Sequence, residues 1–351
     1  MAESRNPVVV CLGVPAFGAG VHAERLAAID PRVEPVVLPV DDGAEWATVN
    51  PAEPCDEPPP WARAVASERL KVLARAEVLI ALHAPRNLTS LAPKLRWIHS
   101  VGAGVEQFAR AGVARDRVVL TNASGISAPS MAEWVLGRLL QIWKRFREAD
   151  FHQERHAFER TYGRTFAGST VGIVGLGSIG REVSQRLRAL GVRVLGQRRS
   201  YRPGDPVEHA DAMFGLDELH DMLGQCDAVI VAAPETPETR HLIDARALSA
   251  MRSDAVLVNV ARGSLVDEAA LAHALRSGGL AAAVLDVFDQ EPLPPESPIW
   301  ELPNVYISAH SSVSVDRYME DVFDLFEENV RRYLVSEPLH NQVDMEALGF
   351  S

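Results

Sequence analysis

The chain has 351 residues, 47% apolar and 23% charged, with a formal net charge of −12. That length calls for two domains, each with its own core. The acidic balance excludes the basic stripe by which proteins hold nucleic acid.

Cys11, Cys55 and Cys226 are far apart and form no Cys-x-x-Cys or Cys/His spacing. They exclude a disulfide framework and a zinc site, so no metal is expected, and they fit a reducing cytoplasm. No run approaches the roughly 18 apolar residues that cross a bilayer. The N-terminal "PVVVCLGVPAFGAG" is broken by Pro15 and several glycines and lacks the basic lead of a signal peptide.

Short apolar runs alternate with helical patterns along most of the chain, the signature of parallel α/β architecture. In the first third "PVVVCLG", "VEPVVLPV", "AEVLIAL", "LRWIHSV" and "RVVLTN" read as strands, with helices near 21–29 and 62–76. Between them, residues 41–60 end in a segment with five prolines among ten residues, which reads as a solvated loop. Next comes "SMAEWVLGRLLQIWKRF", residues 130–146. Ser130 and Glu133 form an S-x-x-E pair that predicts a capping box. Met131, Val135, Leu139, Ile142 and Phe146 share one face, which Trp134 and Trp143 widen toward core or a subunit contact.

From residue 170 the pattern becomes strand 171–174, helix 178–190, strand 192–197, helix 217–224, strand 228–232 and helix 245–251. It continues as strand 255–260, helix 267–277 with Asp267 as N-cap, and strands 281–285 and 305–308. A last amphipathic helix near 314–335 is expected to return to the first domain. The fold class expected is α/β, with two doubly wound parallel-sheet domains. One spans 1–125 plus 315–351, and the other spans 126–314.

The first turn of that second domain reads Gly175-x-Gly177-x-x-Gly180 between a strand and a helix. Gly175 permits the tight turn, Gly177 lets a pyrophosphate approach the backbone, and Gly180 lets the helix pack on the strand. The amides of Ser178 and Ile179 then face the phosphates at the helix N-terminus. The following strand normally ends in an Asp or Glu that holds the adenosine ribose and repels a 2′-phosphate. Here it ends in Arg198, Arg199 and Ser200. Fixed positive charge and planar donors suit phosphate, so NADP(H) is the expected cofactor, with NAD(H) second.

Three later strands end in polar residues: "VLVNVARGSLVDE" delivers Arg262, "AVLDVFDQEPLP" delivers Asp286 and Glu291, and "NVYISAH" delivers His310. Ligands of open α/β sheets lie at the carboxyl ends of strands. An arginine there can clamp a carboxylate, and a histidine beside a carboxylate is held protonated and can give its proton up.

In these segments, together with "LRWIHSVGAGVEQF" and "TNASGISAPSMAEW", the chain resembles the D-isomer-specific 2-hydroxyacid dehydrogenases. The resemblance implies that Arg262 binds the carboxylate and carbonyl of a 2-oxo acid, that His310 donates the proton and that Glu291 is its partner. It also implies that the backbone amides of Val101 and Gly102 meet the carboxylate, that Asp286 holds the nicotinamide carboxamide and that Pro234 lines the cofactor site. It further implies a first domain of flavodoxin-like type interrupted by the Rossmann domain, and a homodimer whose arm includes the helix at 130. The basic Arg198-Arg199-Ser200 ending and "HSSV" are similar to the branch of NADPH-dependent glyoxylate and hydroxypyruvate reductases.

The function expected is reduction of a small 2-oxo acid to the D-2-hydroxy acid in the cytoplasm, with no nucleic-acid or membrane partner. Two alternatives stand beside it. One is a dinucleotide-sensing corepressor on the same fold. The other is a phosphite or other small-anion dehydrogenase; Glu291 speaks against formate oxidation, where the resemblance would place glutamine.

Overall fold

The structure, a computed structural model, describes residues 7–17, 20–38, 67–85 and 87–346. The proline-rich stretch at 41–60, Cys55 and the start of the helix expected at 62–76 lie outside them. The chain divides into two compact units, Met1–Ile126 with Val315–Ser351, and Ser127–Ser314.

The first unit contains β1 (Val8–Leu12), β2 (Val33–Val37), β3 (Val78–Ala81), β4 (Trp97–Ser100) and β5 (Val119–Asn122). They form a parallel sheet in the order β2-β1-β3-β4-β5, the flavodoxin-like arrangement. Every residue of β1, β3 and β4 is buried, as strands covered on both faces require, and this is why they read as unbroken apolar runs. The helix Tyr318–Leu334 supplies part of that cover. Its Phe323, Phe326 and Val330 enter the same core as Val10, Leu12, Ile80 and Trp97. Arg25, from the helix Gly20–Ala27, meets Glu320 at 2.5 Å and Asp324 at 2.6 Å on its outer side.

The second unit contains β6 (Thr170–Val174), β7 (Arg193–Gln197), β8 (Ala212–Phe214), β9 (Ala228–Val231), β10 (Val256–Asn259), β11 (Ala282–Leu285) and β12 (Val305–Ile307). Their order is β12-β11-β10-β9-β6-β7-β8, all parallel, and it reverses between β6 and β9. Such a reversal opens the crevice in which dinucleotides lie on Rossmann sheets. The chain is therefore α/β with two doubly wound parallel sheets.

Two expectations at the head of this unit need correction. The helix spans Ala128–Trp143, and its N-cap is Ser127, with Pro129 in the first turn. Proline fits a first turn because it needs no donor there, so the helix begins before Ser130. The capping box is absent: the Ser130 hydroxyl donates to the Ser127 carbonyl at 3.1 Å, and Glu133 faces Arg186 at 3.6 Å. The chain then breaks at Arg145, whose φ is 57°, and a separate helix, Phe146–Glu154, follows. Met131, Val135, Leu139 and Trp143 belong to the core with Leu176, Val183 and Leu187. Phe146, by contrast, is exposed, as are Phe151, Phe158 and Tyr162 beyond it.

Candidate functional site

The glycine turn opens the helix Ser178–Ala189, whose N-cap, Gly177, offers no capping side chain to the first amides. Gly175 has φ 96°, and a side-chain carbon there would lie 2.6 Å from the Ala233 backbone. One at Gly180 would overlap the Gly175 carbonyl, whereas one at Gly177 would meet nothing within 4 Å. Two glycines are thus needed for packing, and the third leaves the exposed backbone beside Ser178 and Ile179 open. Uncapped first-turn amides next to open space fit a pyrophosphate. Arg181, which sequence reasoning passed over, hangs beside this turn with Nε on the Leu176 carbonyl at 3.2 Å.

The Gly175 amide donates to the Gln197 carbonyl at 3.0 Å, which brings the end of β7 next to the turn. Arg198, Arg199 and Ser200 follow directly, all exposed. Arg199 Nη1 lies 3.4 Å from Glu238 Oε2, and Glu238 sits in the loop that carries Pro234. Thr239 ties that loop, its hydroxyl donating to the Pro234 carbonyl at 2.8 Å. The Thr236 hydroxyl, the residue's own amide and then Arg199 hold Glu238 below its ordinary pKa.

Arg262 follows β10 and is placed by its neighbours. Asn259 Nδ2 donates to its carbonyl at 2.9 Å, and its own Nη1 reaches the Ala261 carbonyl at 2.8 Å. Gly263 then runs so close to Phe288 that any side chain would overlap the Phe288 carbonyl carbon. This contact packs the turn after β10 against the segment after β11.

Glu291 accepts the Phe288 amide on Oε1 at 2.9 Å and meets His310 Nδ1 with Oε2 at 2.9 Å. The bond to Glu291 raises the His310 pKa above its usual value, against an opposing effect of burial and of the Arg262 charge. Burial pushes Glu291 upward, but the bond from His310, the Phe288 amide and the charges of His310 and Arg262 outweigh it, and its pKa falls. Arg262, Glu291 and His310 are therefore mutually within electrostatic reach.

Asp286 is 1% exposed. Its Oδ1 accepts the Ser308 hydroxyl at 2.6 Å and the Ser311 amide at 2.8 Å, and its Oδ2 accepts the Ser312 hydroxyl at 2.6 Å. Its carbonyl accepts the His310 amide at 2.8 Å, and His310 itself has φ 49°. The carboxylate is thus the hub around which the loop bearing His310 is wound. The serines are a feature that sequence reasoning missed.

In the first unit, residues 101–104 form a separate feature. The Val101 amide donates to the Ala81 carbonyl at 3.1 Å, so it is not available to a ligand; this corrects the expectation that both Val101 and Gly102 amides serve one. The amides of Gly102, Ala103 and Gly104 have no acceptor among the described residues.

Among the described residues, no group of three or more His, Cys, Asp or Glu could hold a metal ion, and no helix is long and apolar enough to cross a membrane. Cys11 and Cys226 are buried free thiols, each pushed up to about 12 by burial.

Residues 136–312 match the family described as D-isomer specific 2-hydroxyacid dehydrogenase, NAD binding domain. The chain is 31% identical to a D-3-phosphoglycerate dehydrogenase of Methanocaldococcus jannaschii, over 79% of this chain and 53% of that one. It spans about half the length of this and the next such curated relative. A D-isomer specific 2-hydroxyacid dehydrogenase family protein from Aeromonas salmonicida superposes with a TM-score of 0.79 at 32% identity, covering 97% of this chain and 99% of that one. An NADPH-dependent glyoxylate/hydroxypyruvate reductase from Sinorhizobium meliloti, in complex with NADP and sulfate, superposes with a TM-score of 0.74 at 27% identity. That match covers 98% of this chain and 99% of the neighbour. A nucleotide-binding turn on a Rossmann sheet, a histidine–glutamate pair beside an arginine, and these matches lead to one conclusion: the chain belongs to the D-isomer-specific 2-hydroxyacid dehydrogenase family.

Proposed function

We propose that the protein is an NADPH-dependent oxidoreductase that reduces a small 2-oxo acid, of the glyoxylate or hydroxypyruvate type, to the D-2-hydroxy acid. The observation that carries this reading is the His310–Glu291 hydrogen bond at 2.9 Å beside Arg262. A reduced nicotinamide, held by the glycine turn, would supply the hydride. Arg262 clamps the carboxylate and polarises the carbonyl, fixing the acid in one orientation. His310, held at Nδ1 by Glu291, presents its Nε2 proton to the carbonyl oxygen as negative charge develops there. Within the first unit, the Gly102 amide is a donor suited to a carboxylate.

The dinucleotide is assigned to Gly175, Gly177, Ser178, Ile179, Gly180 and Pro234, with Asp286 shaping the nicotinamide end. Arg198, Arg199 and Ser200 supply donors to a 2′-phosphate where an acid would repel it. The NADP in the Sinorhizobium meliloti neighbour agrees with this preference. On this reading residues 126–314 are the NAD(P)-binding domain, and 1–125 with 315–351 form the substrate domain. The exposed apolar side chains of Phe146, Phe151, Phe158 and Tyr162 support a homodimer whose arm includes this segment. The buried free thiols fit a cytoplasmic setting.

The test is loss of nicotinamide absorbance with NADPH or NADH against glyoxylate, hydroxypyruvate, pyruvate and 3-phosphohydroxypyruvate. Fast NADPH oxidation with one of the first two supports the reading. Preference for the phosphorylated acid would move the protein toward the phosphoglycerate dehydrogenases. Tight NADPH binding without turnover of any acid would favour a sensing role, and turnover of phosphite with NADP would favour small-anion oxidation.

A further inference from the structure

We propose that Tyr318 is a positioning residue for the substrate carboxylate, acting through the peptide that joins Val101 to Gly102. The inference rests on the reading of 101–104 as the carboxylate-binding loop. Tyr318 is the first residue of the helix Tyr318–Leu334, and its hydroxyl donates to the Val101 carbonyl at 2.7 Å. A trans peptide is planar, with its carbonyl and the following N–H on opposite sides. Tethering the Val101 carbonyl therefore fixes the direction of the Gly102 N–H.

The next three carbonyls are tied in the same way. Gly102 accepts from the Ala123 amide at 3.2 Å, and Ala103 from Asn122 Nδ2 at 2.7 Å. Gly104 accepts from the Ser100 hydroxyl at 3.2 Å and Gln107 Nε2 at 3.3 Å. Asn122 is itself held by Asn341, whose Nδ2 reaches the carbonyls of Asn122 at 3.2 Å and Ser124 at 2.7 Å. Four successive carbonyls are thus bound by donors of the same unit, and the amides of residues 102–104 are left without an acceptor among the described residues, open to a small anion. Glycine geometry does not orient the Gly102 amide, because a side-chain carbon at Gly102 would make only ordinary contacts and its φ is not left-handed. The tethers do. Tyr318 is the tether that one oxygen atom can remove without disturbing the ring. Burial raises the phenol's pKa, so it remains a donor across the working pH range.

The experiment compares Tyr318→Phe with Tyr333→Phe. Tyr333 is a control on the same helix; its hydroxyl binds Glu77 at 2.7 Å, away from the loop. KM and kcat for glyoxylate are measured at saturating NADPH, together with the affinity of the NADPH-loaded protein for oxalate, a non-reacting anion. Loss of a ground-state hydrogen bond of ordinary strength predicts a rise of about fivefold in both KM and the oxalate Kd for Tyr318→Phe. kcat is expected to stay within about twofold, with NADPH affinity and the pH profile unchanged. Tyr333→Phe is expected to lower Tm alone. Unchanged KM and oxalate Kd in Tyr318→Phe, or an equal change in Tyr333→Phe, would overturn the proposal. Oxalate binding by the wild-type protein without reduction of any 2-oxo acid would remove the proposed activity and leave the Tyr318 effect readable in the oxalate Kd. No oxalate binding at all would remove the anion loop, and the role of Tyr318 with it.

Discussion

Glu291 grips His310 with one oxygen and its own loop with the other: Oε2 lies 2.9 Å from Nδ1, and Oε1 accepts the Phe288 amide at 2.9 Å. The bond raises the pKa of the imidazole. A proton donor works below its pKa, so reduction should hold at low pH and fall as pH rises through that raised value. Glu291→Gln removes the negative charge and should move the alkaline limb of the kcat/KM profile to lower pH. The loss should be large at pH 8 and small at pH 6. An alkaline limb at the same pH in both proteins would dissociate the pair from catalysis.

The buried Asp286 carboxylate gathers Ser308, Ser311 and Ser312. Asp286→Asn replaces charge-assisted bonds with neutral ones and turns an NH2 toward one donor. A cost of about 1.5–3 kcal/mol is expected. Thermal unfolding should report it, with kcat falling at least tenfold as the His310 loop loosens. An unchanged Tm with a raised NADPH KM would assign Asp286 to the carboxamide alone.

Arg198 and Arg199 stand where a ribose-binding acid would exclude a 2′-phosphate. Changing both to Ala should raise the KM for NADPH by about 10- to 100-fold, the loss of one or two charge-assisted bonds. The KM for NADH should hardly move. Parallel losses with the two cofactors would show that the arginines do not read the phosphate.

His99 is fully buried in the first unit, with Nδ1 2.8 Å from the Thr121 hydroxyl, and burial pushes its pKa down to about 3. The unfolded chain, with a pKa near 6.5, takes up the proton first. Its contribution to stability is therefore complete above about pH 6.5. Below that it is lost by about 1.4 kcal/mol per pH unit, until the native ring also titrates. His99→Phe should cost about 1 kcal/mol at pH 7.5 yet narrow the gap between pH 7.5 and pH 5 in urea unfolding. Equal gaps in the two proteins would sink the assignment.

The strands were legible because burial on both faces makes them continuous apolar runs, as in Val78–Ala81 and Val256–Asn259. β8, Ala212–Phe214, escaped because it is three residues long and only half-buried. Helical spacing carried Phe146 onto the face of Met131, but the left-handed turn at Arg145 breaks the period and delivers Phe146 to solvent. The glycine turn was readable as a local pattern, since each of its residues acts on a near neighbour. The serines around Asp286 lie 22 to 26 residues from it, and the Tyr318 hydroxyl meets a carbonyl 217 residues away. Contacts of that span follow from how the strands are ordered, and no periodicity announces them.

The two pieces of the first unit, Met1–Ile126 and Val315–Ser351, bear on the order of events at the ribosome. The second unit emerges as one uninterrupted stretch and can close its core during synthesis. The first must wait, its sheet already made but Trp97 still lacking Phe326, 5.2 Å away in the finished fold, and Tyr333, 5.6 Å away. An exposed, aggregation-prone surface therefore persists until the helix Tyr318–Leu334 has been synthesised. A premature stop before residue 318 would leave a well-formed nucleotide-binding unit tethered to a half that never closes.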